Sequence, residues 1–279
     1  LSSAASDVYK RQWERLQLDL KGPLNQHDLN KMKELVRAAE KRDMVVILDL
    51  HNYCRRFMNN EHTLIGNNEL TIEDLASFWQ AIAKEFSTFK NIYGYGLMNE
   101  PHDLAPETKW FDMAQASINA IREVDTNTLI MVGGNDWSSA ERWIEQSDTL
   151  KFLKDPANNL AFEAHVYFDK DASGTYKYSY EEEECYPEKG IDRVKPFVEW
   201  IKQNKFHGFI GEYGIPDNDP RWNETLDLFL GYLQENGING TYWAAGPWWD
   251  TYFMAITPKD GKDRPQMPII EKYTSTLKK

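Results

Sequence analysis

Apolar and polar positions alternate along the chain in two distinct periods. Leu29, Met32, Leu35, Val36 and Ala39 recur at helical spacing and predict a helix over residues 26–42. The apolar run at 44–50 is too short for a stable helix and reads as a strand buried on both faces. The same alternation then repeats. A helix is predicted over 72–89, opened by Thr71 as N-cap with Asp74 three residues on, then a strand over 92–98 and a helix over 107–124. Further strands are predicted over 129–132, 160–166, 209–211 and 240–243. Helices are predicted over 189–204, 221–236 and 267–277, with a short one near 140–146.

Apolar strands alternating with amphipathic helices define an α/β fold with a parallel sheet covered by helices. Six strand–helix pairs follow one leading helix, and the chain is 279 residues long. That length suits the (β/α)8 TIM barrel, which commonly runs near 250 residues. A complete barrel needs two more strands and one more helix, so the expectation is a TIM barrel lacking its first two strands and first helix in this chain. Residues 13–279 are expected to form that one barrel domain. Residues 1–12 carry neither period, nor the apolar core of about 7–15 residues that a signal peptide has, and are expected to be a non-native or disordered leader.

Composition narrows the function. The formal charge is 32 − 44 = −12 with no basic stripe, which argues against nucleic acid and anionic polysaccharides and leaves neutral ligands open. No apolar run approaches the roughly 18–20 residues of a membrane helix. Cys54 and Cys185 have no metal-type spacing and are expected to be free thiols; no metal and no cofactor is expected. Aromatic residues are abundant, with 10 Trp, 14 Tyr and 13 Phe. Those beside strand ends offer flat apolar faces with polar edges, which suit pyranose rings.

In a parallel barrel the C-terminal ends of the strands carry the active site. The strand ends here read Asp49-Leu50-His51-Asn52-Tyr53, Asn99-Glu100-Pro101-His102-Asp103, Gly133-Gly134-Asn135-Asp136-Trp137, His165-Val166-Tyr167, Gly211-Glu212-Tyr213-Gly214 and Trp243-Ala244-Ala245-Gly246. Taken singly, Glu100 reads equally well as a capping or ion-paired residue, and Glu212 as an acid near the next helix. Together they are two carboxylates on the fourth and seventh barrel strands, as glycoside hydrolysis requires: one group protonates the leaving oxygen while the other attacks or activates water.

With these motifs in this order, the chain from about Trp13 onward resembles glycoside hydrolase family 5, the cellulase-type barrel enzymes. The resemblance implies a secreted, retaining, endo-acting hydrolase of cellulose or related β-1,4-glucan, with Glu100 as acid/base and Glu212 as nucleophile. In retaining enzymes the two carboxyls stand about 5–5.5 Å apart. It further implies that Asn99 bonds the sugar 2-hydroxyl, His165 bonds Glu100 or the substrate, and His51 positions sugar hydroxyls. Tyr167 would orient the nucleophile, and Trp243 would floor the cleavage subsite beside a non-proline cis peptide. Asn52, Tyr53, Trp137 and Trp249 are expected to contact neighbouring sugars, with Trp248 a further candidate. Asp49 and Glu163, two residues before the histidines, are read as buried supports.

The family's second-strand arginine has no counterpart here, since Arg15 falls beyond the matching region. Partners are expected to be β-glucan polysaccharide or cello-oligosaccharide, with no nucleic acid or membrane, the protein acting as a monomer. Mannan or xyloglucan cleavage, and sugar binding without turnover, are the competing readings. Residues 169–187 are expected to form a flexible rim loop near the sugar.

Overall fold

A computed structural model describes residues 12–249 and 251–274 of the protein. Residues 1–11 of the expected leader and 275–277 of the last predicted helix lie outside them. The described residues divide into two compact units, 12–138 with 145–162, and 139–144 with 163–274.

The first unit contains α1 (Gln12–Leu16), α2 (Gln26–Glu40), β1 (Val46–Asp49), β2 (Arg55–Met58), β3 (Glu61–Leu64), α3 (Ile72–Phe86), β4 (Ile92–Gly96), α4 (Trp110–Arg122) and β5 (Leu129–Gly133). Next in the chain come α5 (Trp143–Ser147) and β6 (Leu160–Tyr167), each of which takes residues from both units. The second unit continues with α6 (Lys189–Asn204), β7 (His207–Gly214), α7 (Arg221–Glu235), β8 (Asn239–Tyr242) and α8 (Met267–Tyr273). Sheet order follows chain order, β1-β4-β5 in the first unit and β6-β7-β8 in the second. Parallel registers pair Leu48 with Tyr95, Tyr95 with Ile130, and Ile210 with Gly240.

Every element predicted from the pattern is present, with its ends moved by a few residues. Thr71 caps α3 as expected: its side chain accepts from the Asp74 N–H while the Asp74 carboxylate accepts from the Thr71 N–H, a reciprocal capping box. Among the elements not expected are α1 and the antiparallel hairpin β2–β3, which turns at Asn59 and Asn60, both with left-handed φ (52° and 64°). Such residues fit a two-residue turn, but the flanking segments, Arg-Arg-Phe-Met and Glu-His-Thr-Leu, lack a period-2 apolar face.

Buried tryptophans fix the strand ends that carry the chemistry. In the first unit Trp13, Phe78, Trp79 and Tyr95 pack ring to ring, and the Trp79 indole donates to the Leu97 carbonyl at 3.0 Å, two residues before Asn99. Trp110 donates to the Gly133 carbonyl at 2.7 Å, at the end of β5. An indole is large enough to fill the helix–sheet gap, and its one donor is satisfied only where a carbonyl faces it. In the second unit Trp143 packs on Phe197 and Trp200, and Phe229 packs on Phe168 and Tyr213.

The segment expected to be a flexible rim loop is a braced one. Buried Asp169 accepts from the backbone N–H groups of Gly174, Thr175 and Tyr176 and from the Ser173 hydroxyl. The Tyr176 hydroxyl donates to the Gly214 carbonyl at 2.6 Å, which ties the loop to the end of β7. Such dense internal bonding belongs to ordered segments rather than mobile lids. Cys54 and Cys185 are free thiols, and burial pushes the Cys54 thiol well above its usual range. No helix among the described residues is long and apolar enough to cross a membrane.

Candidate active site

In the first unit the strand ends of β1, β4 and β5 bring together His51, Asn52, Tyr53, Asn99, Glu100 and Trp137. The Asn99 N–H donates to the Leu50 carbonyl at 2.8 Å, which sets the β4 end beside the β1 end. His51 is buried; its Nδ1 stands 3.0 Å from Asp49 Oδ2, and its Nε2 lies 3.0 Å from the Tyr53 hydroxyl and 3.4 Å from Asn99 Nδ2. The Asn99 amide nitrogen only donates, so the neutral His51 ring carries its proton on Nδ1, toward Asp49, and accepts at Nε2. His51 was expected to position sugar hydroxyls. Its Nε2 faces the Asn99 amide and the Tyr53 phenol, and Asp49 holds its other ring nitrogen.

Asn52, expected to contact a neighbouring sugar, is held by both ends of its amide. Its Oδ1 accepts from the Trp13 N–H, and its Nδ2 donates to Glu14 Oε2 at 2.8 Å and to the Arg55 carbonyl at 3.1 Å. With its amide bonded to α1 and to the start of β2, it joins α1 to the β1 loop. Tyr53, Glu100, Asp136 and Trp137 all have positive φ, between 47° and 55°, so the loops turn sharply at the strand ends. Trp137 is 42% exposed and stacks at 4.5 Å on the His102 ring. An exposed indole held in plane is what a sugar platform requires.

In the second unit Glu163, His165 and Tyr167 alternate along β6 and so share one face. The Tyr167 hydroxyl donates to Glu212 Oε2 at 2.7 Å, and His165 Nδ1 lies 3.7 Å from the same oxygen. His165 Nε2 stands 3.4 Å from Glu163 Oε1, which gives Glu163 the supporting place expected for it. Glu212 and Tyr167 are buried. Gly211 is required by a close approach, because a Cβ there would collide with the Glu163 carboxylate.

At β8 the Trp243 N–H donates to the Tyr213 carbonyl at 2.8 Å, and the Trp243–Ala244 peptide is cis, as expected. Trp249 meets Trp243 edge to face at 5.3 Å, and Trp248 is 82% exposed. Removing the phenol by Tyr167→Phe is expected to lower kcat about 10- to 100-fold with KM little changed, because a hydrogen bond to a buried carboxylate is lost without changing its fit. Steady-state kinetics check this, and an unaltered kcat would deny Tyr167 any part in orienting Glu212.

Sequence reading missed the hairpin and, with it, Arg55 and the contacts of His102. The Asn59-Asn60 pair was the available signal.

Carboxylate, imidazole, phenol and indole groups at the ends of parallel strands are the equipment of an α/β-barrel glycoside hydrolase. The family model for cellulase (glycosyl hydrolase family 5) matches residues 8–248. The chain therefore belongs to glycosyl hydrolase family 5, and it is a glycoside hydrolase with that family's (β/α)8 fold, represented by six parallel strands among the described residues. It is 33% identical over 253 residues to endo-beta-1,4-glucanase B of Emericella nidulans, covering 89% of this chain and 72% of that one. Pseudomonas stutzeri endoglucanase Cel5A, crystallised with cellobiose, superposes with a TM-score of 0.86 at 42% identity, covering 94% and 77% of the two chains. XacCel5A, crystallised with cellopentaose, gives 0.84 at 38% identity over 94% and 83%.

Proposed function

We propose that this protein is a retaining endo-β-1,4-glucanase whose substrate is cellulose, related β-glucan or cello-oligosaccharide. Glu212 is the nucleophile and Glu100 the acid/base, with 13–279 acting as one catalytic domain, as a monomer outside the cell and without a cofactor. In the first half-reaction Glu212 attacks C1 as Glu100 gives its proton to the glycosidic oxygen; the bond to the aglycone breaks and a glycosyl ester forms. Water then attacks C1, Glu100 takes its proton, and the ester releases sugar with its configuration restored. Asn99 would bond the 2-hydroxyl, His165 would bond Glu100 or a substrate hydroxyl, and Tyr53, Trp137, Trp243 and Trp249 would hold pyranose rings.

The observation that carries this reading is the Tyr167 phenol donating to Glu212 at 2.7 Å, since it fixes one carboxylate oxygen of a buried glutamate at a strand end. The test is proton NMR of fresh cellopentaose digests, with mannopentaose in parallel. The expected result is internal cleavage with the β-anomer appearing first. First appearance of the α-anomer would exclude double displacement, and cleavage of mannopentaose alone would exclude a glucanase.

A further inference from the structure

The acid/base candidate stands on a backbone turn, and that turn is gripped by a histidine the reaction does not itself use. Glu100 has φ 47°, a left-handed conformation rarely taken by a residue with a side chain. His102 Nδ1 lies 2.9 Å from the Glu100 carbonyl oxygen, and His102 Nε2 lies 3.2 Å from Arg55 Nη1. A guanidinium has no acceptor, so Nε2 must accept from Arg55. The proton of the neutral ring is therefore on Nδ1, where it donates to the Glu100 carbonyl. Arg55 selects the one neutral tautomer that holds the turn.

Two further contacts fix the ring itself. Trp137 stacks on it at 4.5 Å and 13° between planes, and the Tyr53 ring meets it edge-on at 5.6 Å. Arg55 is fixed in turn by a second bond, from Nη1 to the Tyr53 carbonyl at 2.6 Å. The Trp137 N–H also donates to the Pro101 carbonyl at 3.3 Å, so the segment between Glu100 and His102 is tied to the platform residue by backbone and by ring. Arg55 opens β2, so the grip comes from the hairpin outside the parallel sheet.

We infer that Arg55 and His102 are positioning residues for Glu100: the hairpin arginine sets the His102 tautomer, and His102 holds the Glu100 main chain in the turn from which its carboxyl serves the leaving oxygen. This rests on Glu100 being the acid/base. Small displacements of a catalytic group are costly, about a hundredfold for 1 Å. Protonating the leaving oxygen matters for a sugar alcohol and little for an acidic phenol. A misplaced Glu100 therefore harms natural substrates selectively.

The test compares kcat/KM on cellopentaose and on 2,4-dinitrophenyl β-cellobioside for wild type, Glu100→Ala, His102→Phe, His102→Gln and Arg55→Met, with thermal unfolding of each. His102→Phe keeps a flat ring against Trp137 and removes both hydrogen bonds. It is expected to lose about 10- to 100-fold on cellopentaose and less than about threefold on the aryl substrate. Glutamine supplies an amide N–H for the Glu100 carbonyl and an oxygen for Arg55, so His102→Gln is expected to recover most of that loss. Arg55→Met is expected to lose in the same direction by a smaller factor.

Equal losses on both substrates, or a His102→Gln variant no better than His102→Phe, would mean a purely structural histidine and overturn the inference. So would wild-type rates in His102→Phe beside an inactive Glu100→Ala. A Glu100→Ala variant with near-normal rates on cellopentaose would instead overturn the acid/base assignment beneath it. If His102→Phe fails to fold, the substrate selectivity of Arg55→Met decides the matter alone.

Discussion

Replacing Glu212 by alanine is expected to lower kcat on cellopentaose by about four to six orders of magnitude, the range seen when a covalent catalyst loses its nucleophile. The variant is expected to keep its fold, because Glu212 lies near the end of β7 and its carboxylate meets the Tyr167 hydroxyl and His165. The vacated space opposite the leaving group then admits a small anion. With an aryl cellobioside bearing an acidic leaving group, azide is expected to restore part of the rate and to yield a glycosyl azide of inverted configuration. Azide attacks C1 from the face the carboxylate occupied, forms the C–N bond and expels the phenolate. Absence of that adduct, or near-normal turnover without azide, would remove Glu212 from the nucleophile role. Glu100→Ala is expected to differ: large loss on cellopentaose, with kcat/KM on the acidic leaving group largely kept.

The second large effect concerns stability. Asp155→Ala is expected to destabilise the fold by about 3–5 kcal/mol at pH 7, the cost of leaving one member of a buried ion pair alone. The Arg122 and Asp155 side chains are 3% and 1% exposed and meet in a bidentate pair at 2.7 and 3.0 Å. Arg122 also donates to the Asp125 and Thr128 carbonyls, and Asp155 accepts the N–H groups of Ala157 and Asn159, so one pair closes α4 onto the segments entering β5 and β6. Burial alone would raise the Asp155 pKa, but the Arg122 and backbone hydrogen bonds outweigh it and hold the carboxyl below its usual range.

A depressed folded-state pKa contributes stability that is complete above the unfolded-state value, near 3.8, and is lost as pH falls through the lower folded value. Wild type should therefore weaken steeply below about pH 4 and Asp155→Ala less steeply. Urea midpoints at pH 7 and pH 3 measure both effects. A difference between the two proteins that is the same at both pH values would show that the pair carries no linked proton.

The elements were legible because a buried parallel strand is apolar throughout while its covering helix is apolar on one stripe, and both patterns are local. The Thr71–Asp74 capping box was readable for the same reason, since its partners are three residues apart. The Asn-Glu-Pro and Gly-Glu-Tyr-Gly segments also carried the family in their order. The β2–β3 hairpin was not legible. Its strands are polar, and its role depends on Arg55 meeting His102, 47 residues away.

Local pattern by itself determined the parallel strands, the helices that alternate with them, and which residue types stand at the strand ends. Tertiary structure alone decided that the Asn52 amide meets α1, that His51 turns its acceptor to Asn99 and Tyr53, and that Asp169 pins its own loop. The physical reason is range. Periodicity and caps act within one or two turns of chain. A side chain's hydrogen-bond partner, and so its job, is chosen by neighbours that only folding brings near.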